Sequence, residues 1–259
     1  MKILKLLIIN LLLSLVLIRP SFAFIILIDP GHGGEELGAI SRVWQKTKKG
    51  KKTINIYEKN LTLDLAKKVK KHLEKKYTTY LTRSFDRTVT LNERANMADT
   101  VKADLFISIH FNSSTEDQSN GFETYYLDNH ADVAIKKVED IENKYLDGAE
   151  KTVNQILIDL VIQKTVSSSK KLANSIHDTL GKNIPKKFKI KDRGMKPGLF
   201  YVLALSKRPG ALIEAGFMSN SKELRKIRSD RFLEAYARSI SDGIIDYLKT
   251  LPAKDIPLF

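Results

Sequence analysis

The chain alternates between short apolar runs and longer segments whose apolar residues recur at helical spacing. Short runs bounded by turn residues are typical of buried strands, and apolar positions three and four residues apart are typical of amphipathic helices. The pattern predicts strands over residues 24–28, 79–82, 105–110, 122–127, 199–202 and 211–214. It predicts helices near residues 60–75, 91–101, 168–180 and 231–249. This order predicts a single α/β domain with a mostly parallel twisted sheet of about six strands, flanked by helices.

Four ionisable side chains stand where these elements begin or end. His32 follows the first predicted strand in a glycine-rich turn, Glu58 precedes the first helix, and His110 and Glu214 close two further strands. The carboxyl ends of parallel strands meet at one edge of an open α/β sheet, so we expect the four to lie together. Two histidines and one glutamate form a familiar catalytic zinc shell with one open position, and a fourth group can then transfer the proton.

Each of these residues also has a plainer interpretation when it is taken alone. His32 can be a solvated turn residue, Glu58 a carboxylate favoured by the helix dipole, and His110 a hydrogen-bonded core histidine. Glu214 is harder to explain in this way, because a lone buried carboxylate is costly unless it is paired or bound to a metal.

The first residues have the features of a secretory signal peptide. Lys2 and Lys5 precede an apolar run at 6–18, and small residues follow at 21–23. The run is short for a membrane-spanning helix of about 20 residues, although an uncleaved anchor is the alternative. We therefore expect a signal peptide at 1–23, a catalytic domain at 24–259, and export to the periplasm or cell envelope.

Charge and cysteine content narrow the partners. Formal charge falls from +14 to +11 when Lys2, Lys5 and Arg19 leave with the signal peptide, and the chain has no cysteine. A basic surface favours anionic partners, and export disfavours nucleic acid, so peptidoglycan and a phospholipid surface both fit. The absence of cysteine excludes disulfides and thiolate metal sites. The lysine-rich run at 46–52 is interpreted as a solvated loop.

Several motifs in a fixed order resemble those of a known family. They are Asp29 to Gly34, Glu58-Lys59-Asn60, Leu81-Thr82-Arg83, Arg94 with Ala95 and Ala98, Ser108-Ile109-His110, and Glu214 to Asn220. Together they resemble the zinc-dependent N-acetylmuramoyl-L-alanine amidases of the cell-division, amidase_3-like type, from about Ile25 to Tyr247. One departure is Glu36, where that family often has aspartate, and we expect little effect from it.

The resemblance implies roles for individual residues. His32, Glu58 and His110 would bind Zn²⁺, and Glu214 would be the catalytic glutamate. Asn112 and Arg94 are candidates for the substrate groove.

The segment at 128–165 is an insertion beyond a minimal catalytic domain. It is dense in charge, yet Val133, Val138 and Ile141 follow approximate helical spacing. One interpretation is a surface helical hairpin that only covers core. The resemblance implies another, an autoinhibitory helix that occludes the zinc until an activator protein displaces it. A carboxylate would then fill the open zinc position, with Glu142 the first choice and Glu139 the second.

The expected function is hydrolysis of the amide between N-acetylmuramic acid and L-alanine of the peptidoglycan stem peptide. Two alternatives stay open: a zinc carboxypeptidase acting within the stem peptide, and a catalytically silent cell-wall-binding protein. The expected partners are peptidoglycan and an activator protein. We expect no nucleic acid, no stable membrane span after signal cleavage, and a monomer.

Overall fold

The computed structural model describes residues 24–47, 50–116, 118–129, 132–144 and 148–252. The predicted signal peptide lies outside these residues, so its assignment stays a prediction. The described elements, in chain order, are β1 (Ile25–Pro30), β2 (Ile40–Thr47), β3 (Gly50–Tyr57), α1 (Glu58–Leu73), β4 (Thr78–Leu81), α2 (Leu91–Thr100), β5 (Leu105–Asn112), β6 (Phe122–Leu127), α3 (Val133–Glu142), α4 (Gly148–Phe188), β7 (Asp192–Gly198), α5 (Tyr201–Ser206), β8 (Gly210–Phe217), α6 (Ser221–Ile227) and α7 (Asp230–Lys249).

Six of the strands form one twisted sheet in the order β4-β1-β5-β8-β6-β7. Neighbouring strands are parallel except for β8 and β6, which are antiparallel. The residues of β5, β6 and β8 are all buried, which explains why these strands are mostly apolar along their length. The predicted fold class, an α/β domain with a mostly parallel six-stranded sheet, is confirmed.

Helices cover both faces of this sheet. One apolar cluster joins the sheet to α1, α4 and α7 through residues such as Leu65, Ile176 and Ile240. A second cluster joins the other face to α5 and to the first part of α4, through Leu203 and Ile158. His32, His110 and Glu214 lie at the edge of the sheet where β1, β5 and β8 end. Within the described residues, no helix combines the length and apolar character needed to cross a membrane.

One predicted strand is a helix. Residues 199–202 were expected to form a strand, but α5 begins at Tyr201, and all six of its residues are buried. An apolar run buried on every side carries no periodicity that separates a strand from a helix. The strand at this place is β7, which contains Pro197 and lies at the edge of the sheet, where proline is tolerated.

Two further elements differ from the predicted pattern. Residues 40–57 form an antiparallel ribbon of β2 and β3, so the run at 46–52 interpreted as a solvated loop falls largely on a hairpin. The helix predicted at 168–180 is the middle of α4, which extends from Gly148 to Phe188 and includes the end of the 128–165 segment. The short helix α3 begins that segment.

Candidate metal centre and active site

Four side chains from four separate elements converge at the edge of the sheet. Ligand atoms of His32, Glu58, His110 and Glu142 all lie within 4.8 Å of one another. Glu58 Oε1 is 3.2 Å from His32 Nε2 and 3.3 Å from His110 Nδ1. Glu142 Oε2 is 2.9 Å from His110 Nδ1 and 3.7 Å from His32 Nε2. Three of the residues were expected here as ligands, and the fourth was the first choice for the inserted carboxylate.

Two buried arginines donate hydrogen bonds to backbone carbonyls of the turn that carries His32. His32 has a φ of 59°, in the left-handed region, which costs a non-glycine residue about 1–2 kcal/mol. Arg94 Nη2 donates to the carbonyl of His32 at 3.0 Å, and Arg83 Nη2 donates to that of Gly31 at 2.8 Å. These bonds maintain a conformation that the turn would otherwise leave.

Two glycines allow the ligands to approach this closely. A Cβ on Gly31 would lie 2.3 Å from Cε1 of the His110 ring, so only glycine leaves room for the imidazole. Gly38 has a φ of +64°, and a Cβ there would lie 2.6 Å from both Glu58 Oε2 and His32 Cδ2. The backbone therefore packs directly against three of the four side chains.

Glu58 is held as a carboxylate by backbone donors. Its Oε2 accepts a hydrogen bond from the Ala39 N–H at 2.8 Å, and its Oε1 accepts one from the Phe111 N–H at 2.9 Å. Burial raises the pKa of this carboxyl, but the neighbouring imidazoles of His32 and His110 outweigh burial and lower it overall.

The donor set fits a metal cation. His32 Nε2 and His110 Nδ1 are buried and have no hydrogen-bond partner of acceptable geometry among the described residues. Leaving buried polar atoms unpaired costs about 1–3 kcal/mol each. Two imidazole lone pairs and two carboxylate oxygens that face one another repel unless a proton on an imidazole or a metal ion lies between them. This His/Glu group could therefore hold a metal ion.

Glu214 lies beside this group on the next strand. It is the register partner of His110 across β5 and β8, it is 1% exposed, and its Oε2 has no hydrogen-bond partner in the described structure. Burial raises its pKa well above the usual value, the nearby Glu142 carboxylate raises it further, and His110 opposes both. A carboxyl in this environment is suited to accept a proton and release it again.

The inserted helix α3 covers the group. Glu142 occupies its last position, and its side chain is only 9% exposed. A cavity of about 30 Å³ is left beside the histidines, bordered by Glu36, Arg94, Glu142 and Val202. The helix therefore leaves little free space beside the histidines.

Glu139, the second choice for the inserted carboxylate, lies elsewhere. Its Oε1 accepts a short hydrogen bond from the Leu199 N–H, and it is not part of the His/Glu group. Asn143 continues the same attachment, because its Nδ2 donates to the Leu199 carbonyl at 2.7 Å and its Oδ1 accepts from the Tyr201 N–H at 2.9 Å. Position 139 is one helical turn before Glu142, and at that place it reaches the loop before α5 rather than the histidines.

The two candidates for the substrate groove have different environments. Arg94 is 3% exposed and donates to the Asp29 carboxylate and to the carbonyls of Val89, Pro30 and His32. Its N–H donors are therefore bonded within the protein, where they position the turn that carries His32. Asn112 borders a groove of about 290 Å³ on the other side of Glu214, and its Nδ2 lies 3.3 Å from Glu123 Oε2.

The charged residues around that groove were not predicted from the sequence. Glu123 is 2% exposed, and it is paired with Arg193 and Lys196. A signal was present in the chain, because Glu123 interrupts an apolar strand in the same way as Glu214 does. Asp29 was quoted only as part of a motif, yet it is the buried carboxylate that pairs with Arg94.

Comparison with known proteins identifies the family of the chain. A family model described as N-acetylmuramoyl-L-alanine amidase, Amidase_3, matches residues 26–246. The chain is 31% identical to the amidase LytC of Bacillus subtilis over 86% of its own length and 35% of that protein. It is 31% identical to the amidase AmiA of Escherichia coli over 86% of its own length and 75% of that protein.

Solved structures extend the likeness to the fold. An N-acetylmuramoyl-L-alanine amidase from Clostridium difficile 630 is 30% identical, with a TM-score of 0.63, over 89% of this chain and 99% of that one. The chain spans about a third of the length of LytC and about half of the length of AmiC from Escherichia coli. With the family pattern extending over most of the sequence, the chain belongs to the Amidase_3 family of N-acetylmuramoyl-L-alanine amidases.

Proposed function

We propose that the protein is a zinc-dependent peptidoglycan hydrolase that cleaves the amide between the lactyl group of N-acetylmuramic acid and L-alanine of the stem peptide. The observation that carries this proposal is the convergence of two unpaired, buried imidazole nitrogens with Glu58, beside the buried carboxyl of Glu214. Family membership supplies the substrate class.

His32 Nε2, His110 Nδ1 and Glu58 would hold the ion. Two histidines and one carboxylate match the ligand preference of catalytic zinc, with one position left for water or substrate. When bound, zinc would supply Lewis acidity toward the scissile carbonyl and would lower the pKa of water. The backbone bonds to Glu58 and the close contact of Gly31 with His110 keep these donors in place before substrate arrives.

Glu214 would transfer the proton. Its Oε2 accepts a proton from the attacking water and delivers it to the alanine nitrogen as the amide breaks, so that the amine leaves neutral. The position on β8, directly beside His110, brings that oxygen to the side of the ligand group opposite β1.

We further propose that α3 is autoinhibitory and that Glu142 occupies the open ligand position in the resting enzyme. The closeness of its Oε2 to both histidines supports this proposal, as does the small size of the remaining cavity. An activator protein would have to bind the displaced state more tightly than the resting one. Reversing a 1:99 equilibrium takes about 5.5 kcal/mol of differential binding.

The location follows from the substrate. Peptidoglycan lies outside the cytoplasm, so we propose export to the periplasm or cell envelope, directed by residues 1–23. The division of the chain into this leader and one catalytic domain at 24–259 is part of the same proposal, as is a monomeric state without a nucleic-acid partner.

Digestion of purified peptidoglycan by the zinc-loaded Glu142→Ala protein, in which α3 no longer competes for the open ligand position, tests the function. Separation of the products should give glycan strands without peptides, together with intact stem peptides that carry a new amino-terminal L-alanine. Loss of a terminal stem residue alone would identify a carboxypeptidase. Binding to peptidoglycan without any cleavage, at full zinc occupancy, would identify a silent wall-binding protein.

A further inference from the structure

The row of side chains at the active edge extends one strand beyond Glu214. Across β5, β8 and β6, His110 is the register partner of Glu214, and Glu214 is the register partner of Glu123. Register partners on adjacent strands point to the same face of a sheet. Glu123 is therefore the neighbour of Glu214 on the side away from the histidines.

Two cationic side chains contact the single carboxylate of Glu123. Its Oε1 accepts from Arg193 Nε at 2.6 Å and from Lys196 Nζ at 2.7 Å, and its Oε2 accepts from Tyr125 Oη at 2.6 Å. The carboxylate is buried, whereas the side chains of Arg193 and Lys196 are 32% and 25% exposed. Glu123 balances one of these two cations, and the second stays partly exposed in the groove, which Glu116 and Lys137 also border.

This surplus charge faces a groove. Arg193, Lys196, Asn112 and Phe217 border a space of about 290 Å³ that Lys137, Val138 and Ile141 of α3 close from the other side, so displacement of α3 would open it to substrate. The Arg193 guanidinium lies 5.2 Å above the Phe217 ring, which fixes its plane. Its Nη atoms have no hydrogen-bond acceptor within the described part of the chain. The groove thus presents a rigid, partly unused guanidinium beside a lysine, the arrangement that binds carboxylates.

The spacing matches the substrate. Arg193 and Lys196 lie on β7, two strands from Glu214, and two strand spacings are about 10 Å. In the stem peptide, L-alanine is followed by D-glutamate joined through its γ-carboxyl, so the α-carboxyl of that second residue is free unless it is amidated. Two residues span about 7 Å, and the long side chains of arginine and lysine cover the remainder.

We infer that Arg193 and Lys196, held in place by Glu123, bind the α-carboxylate of the second stem residue and make the enzyme selective for stems in which it is not amidated. This subsite rests on the proposed function, because the register is counted from the alanine nitrogen beside Glu214. The buried Glu123 is a positioning residue that aligns both cations.

Matched substrates test the subsite, and the kinetic and binding measurements all use the Glu142→Ala background, in which α3 no longer holds the site closed. Disaccharide-tripeptides carrying either D-glutamate or D-isoglutamine at the second position should differ about 10-fold in KM for the zinc-loaded enzyme, with similar kcat. Arg193→Met and Lys196→Met should each raise KM for the acid substrate and leave KM for the amide nearly unchanged. Lys222→Met removes an equal charge from an exposed site on α6 and should keep the full preference.

The substitution Glu123→Gln tests whether Glu123 positions the two cations. If Glu123 aligns the two cations, removing its charge loosens both of them, so the preference for the acid should fall. A merely structural role predicts instead that both substrates lose equally. Equal KM values for the acid and amide in the Glu142→Ala enzyme would overturn the subsite, as would equal losses on both substrates when Arg193→Met is added.

Binding of the product dipeptides separates this inference from the proposed function. L-alanyl-γ-D-glutamate should bind about 10-fold more tightly than L-alanyl-D-isoglutamine by calorimetry, and Arg193→Met should remove the difference. If peptidoglycan is not cleaved at the alanine amide, the proposed function fails and this measurement still decides. Equal affinity, or no binding of either dipeptide, would overturn the subsite while cleavage of peptidoglycan leaves the function in place.

Discussion

The two sides of the His/Glu group are built differently. On the sheet side, His32, Glu58 and His110 belong to elements of the core, and buried hydrogen bonds fix the backbone around them. On the other side, Glu142 lies on α3, whose Lys136, Asp140 and Ile141 are exposed. The attachments of α3 near the site are side-chain bonds from Glu139 and Asn143 to residues 199–201.

The two sides are therefore expected to differ in the free energy needed to move them. Elements with many buried contacts open only with global unfolding, whereas elements with few such contacts open at a small cost in free energy. The proposed ligands are thus part of the stable core, and the carboxylate that competes for the same place is on an element that can move away. Predictions that alter one side and spare the other test this comparison.

The largest effect is expected from His110→Ala. It leaves one imidazole with two carboxylates, a donor set that suits zinc less well, so bound zinc should be lost. The fold should survive, since the apolar clusters lie behind the site. Metal content by mass spectrometry and circular dichroism measure the two results. His72→Ala, on α1 beside Glu234, is the matched control and should keep zinc. Stoichiometric zinc in His110→Ala would show that the ligand assignment is wrong.

Asp29→Asn should lower the free energy of unfolding by disrupting the buried network around Arg94. The Asp29 carboxylate accepts from Thr82 Oγ1 at 2.6 Å and from Ser108 Oγ at 2.9 Å, and it pairs with Arg94. Removing one partner of a buried ion pair costs about 3–5 kcal/mol, because the other charge stays buried and unpaired.

The free energy of unfolding in urea measures this loss. Asp246→Asn breaks an exposed pair with Lys249 and should cost less than about 1 kcal/mol. Equal losses in the two variants would mean that the Asp29 network is not the support described here.

Glu214→Gln should separate chemistry from metal binding. Glutamine keeps the shape of the side chain but cannot accept the proton, so turnover should fall by roughly 10²-fold while zinc stays bound. Glu223→Gln is the control, because Glu223 is also buried, but its carboxylate accepts from the Gly121 N–H away from the ligand group. Activity near the wild-type level in Glu214→Gln, at full zinc occupancy, would remove Glu214 from the mechanism.

Glu142→Ala should raise basal peptidoglycan cleavage in the absence of any activator. Without the carboxylate, α3 no longer competes for the open position, so the displaced state is more populated. Glu139→Ala should also raise basal cleavage, by about 5- to 10-fold, because it loses an anchoring hydrogen bond worth about 1 kcal/mol or slightly more. Asp140→Ala, exposed on the same helix, should change nothing. Unchanged or lower activity in a well-folded Glu142→Ala protein would count against Glu142, and the same result for Glu139→Ala would favour the surface-hairpin interpretation.

Much of the fold could be predicted because burial leaves a periodic trace. The strand predicted at 122–127 coincides with β6, and the helix predicted at 91–101 ends one residue after α2. Elements without that trace were missed or assigned wrongly. The ribbon of β2 and β3 has the exposed Trp44 on one face, and α5 is apolar on every side.

The sequence by itself determined the class of the sheet, the family motifs and the identity of the four residues expected at its edge. These depend on local properties: apolar periodicity, glycine turns, and polar residues that end apolar runs. Only the tertiary structure decided which carboxylate of α3 reaches the histidines, and that Arg94 lies beneath the site. It also decided that Arg193 and Lys196 meet Glu123 from a strand some 70 residues away in the chain. Such contacts depend on the register between strands and on the direction in which a helix packs, and neither is written in the spacing of residues along the chain.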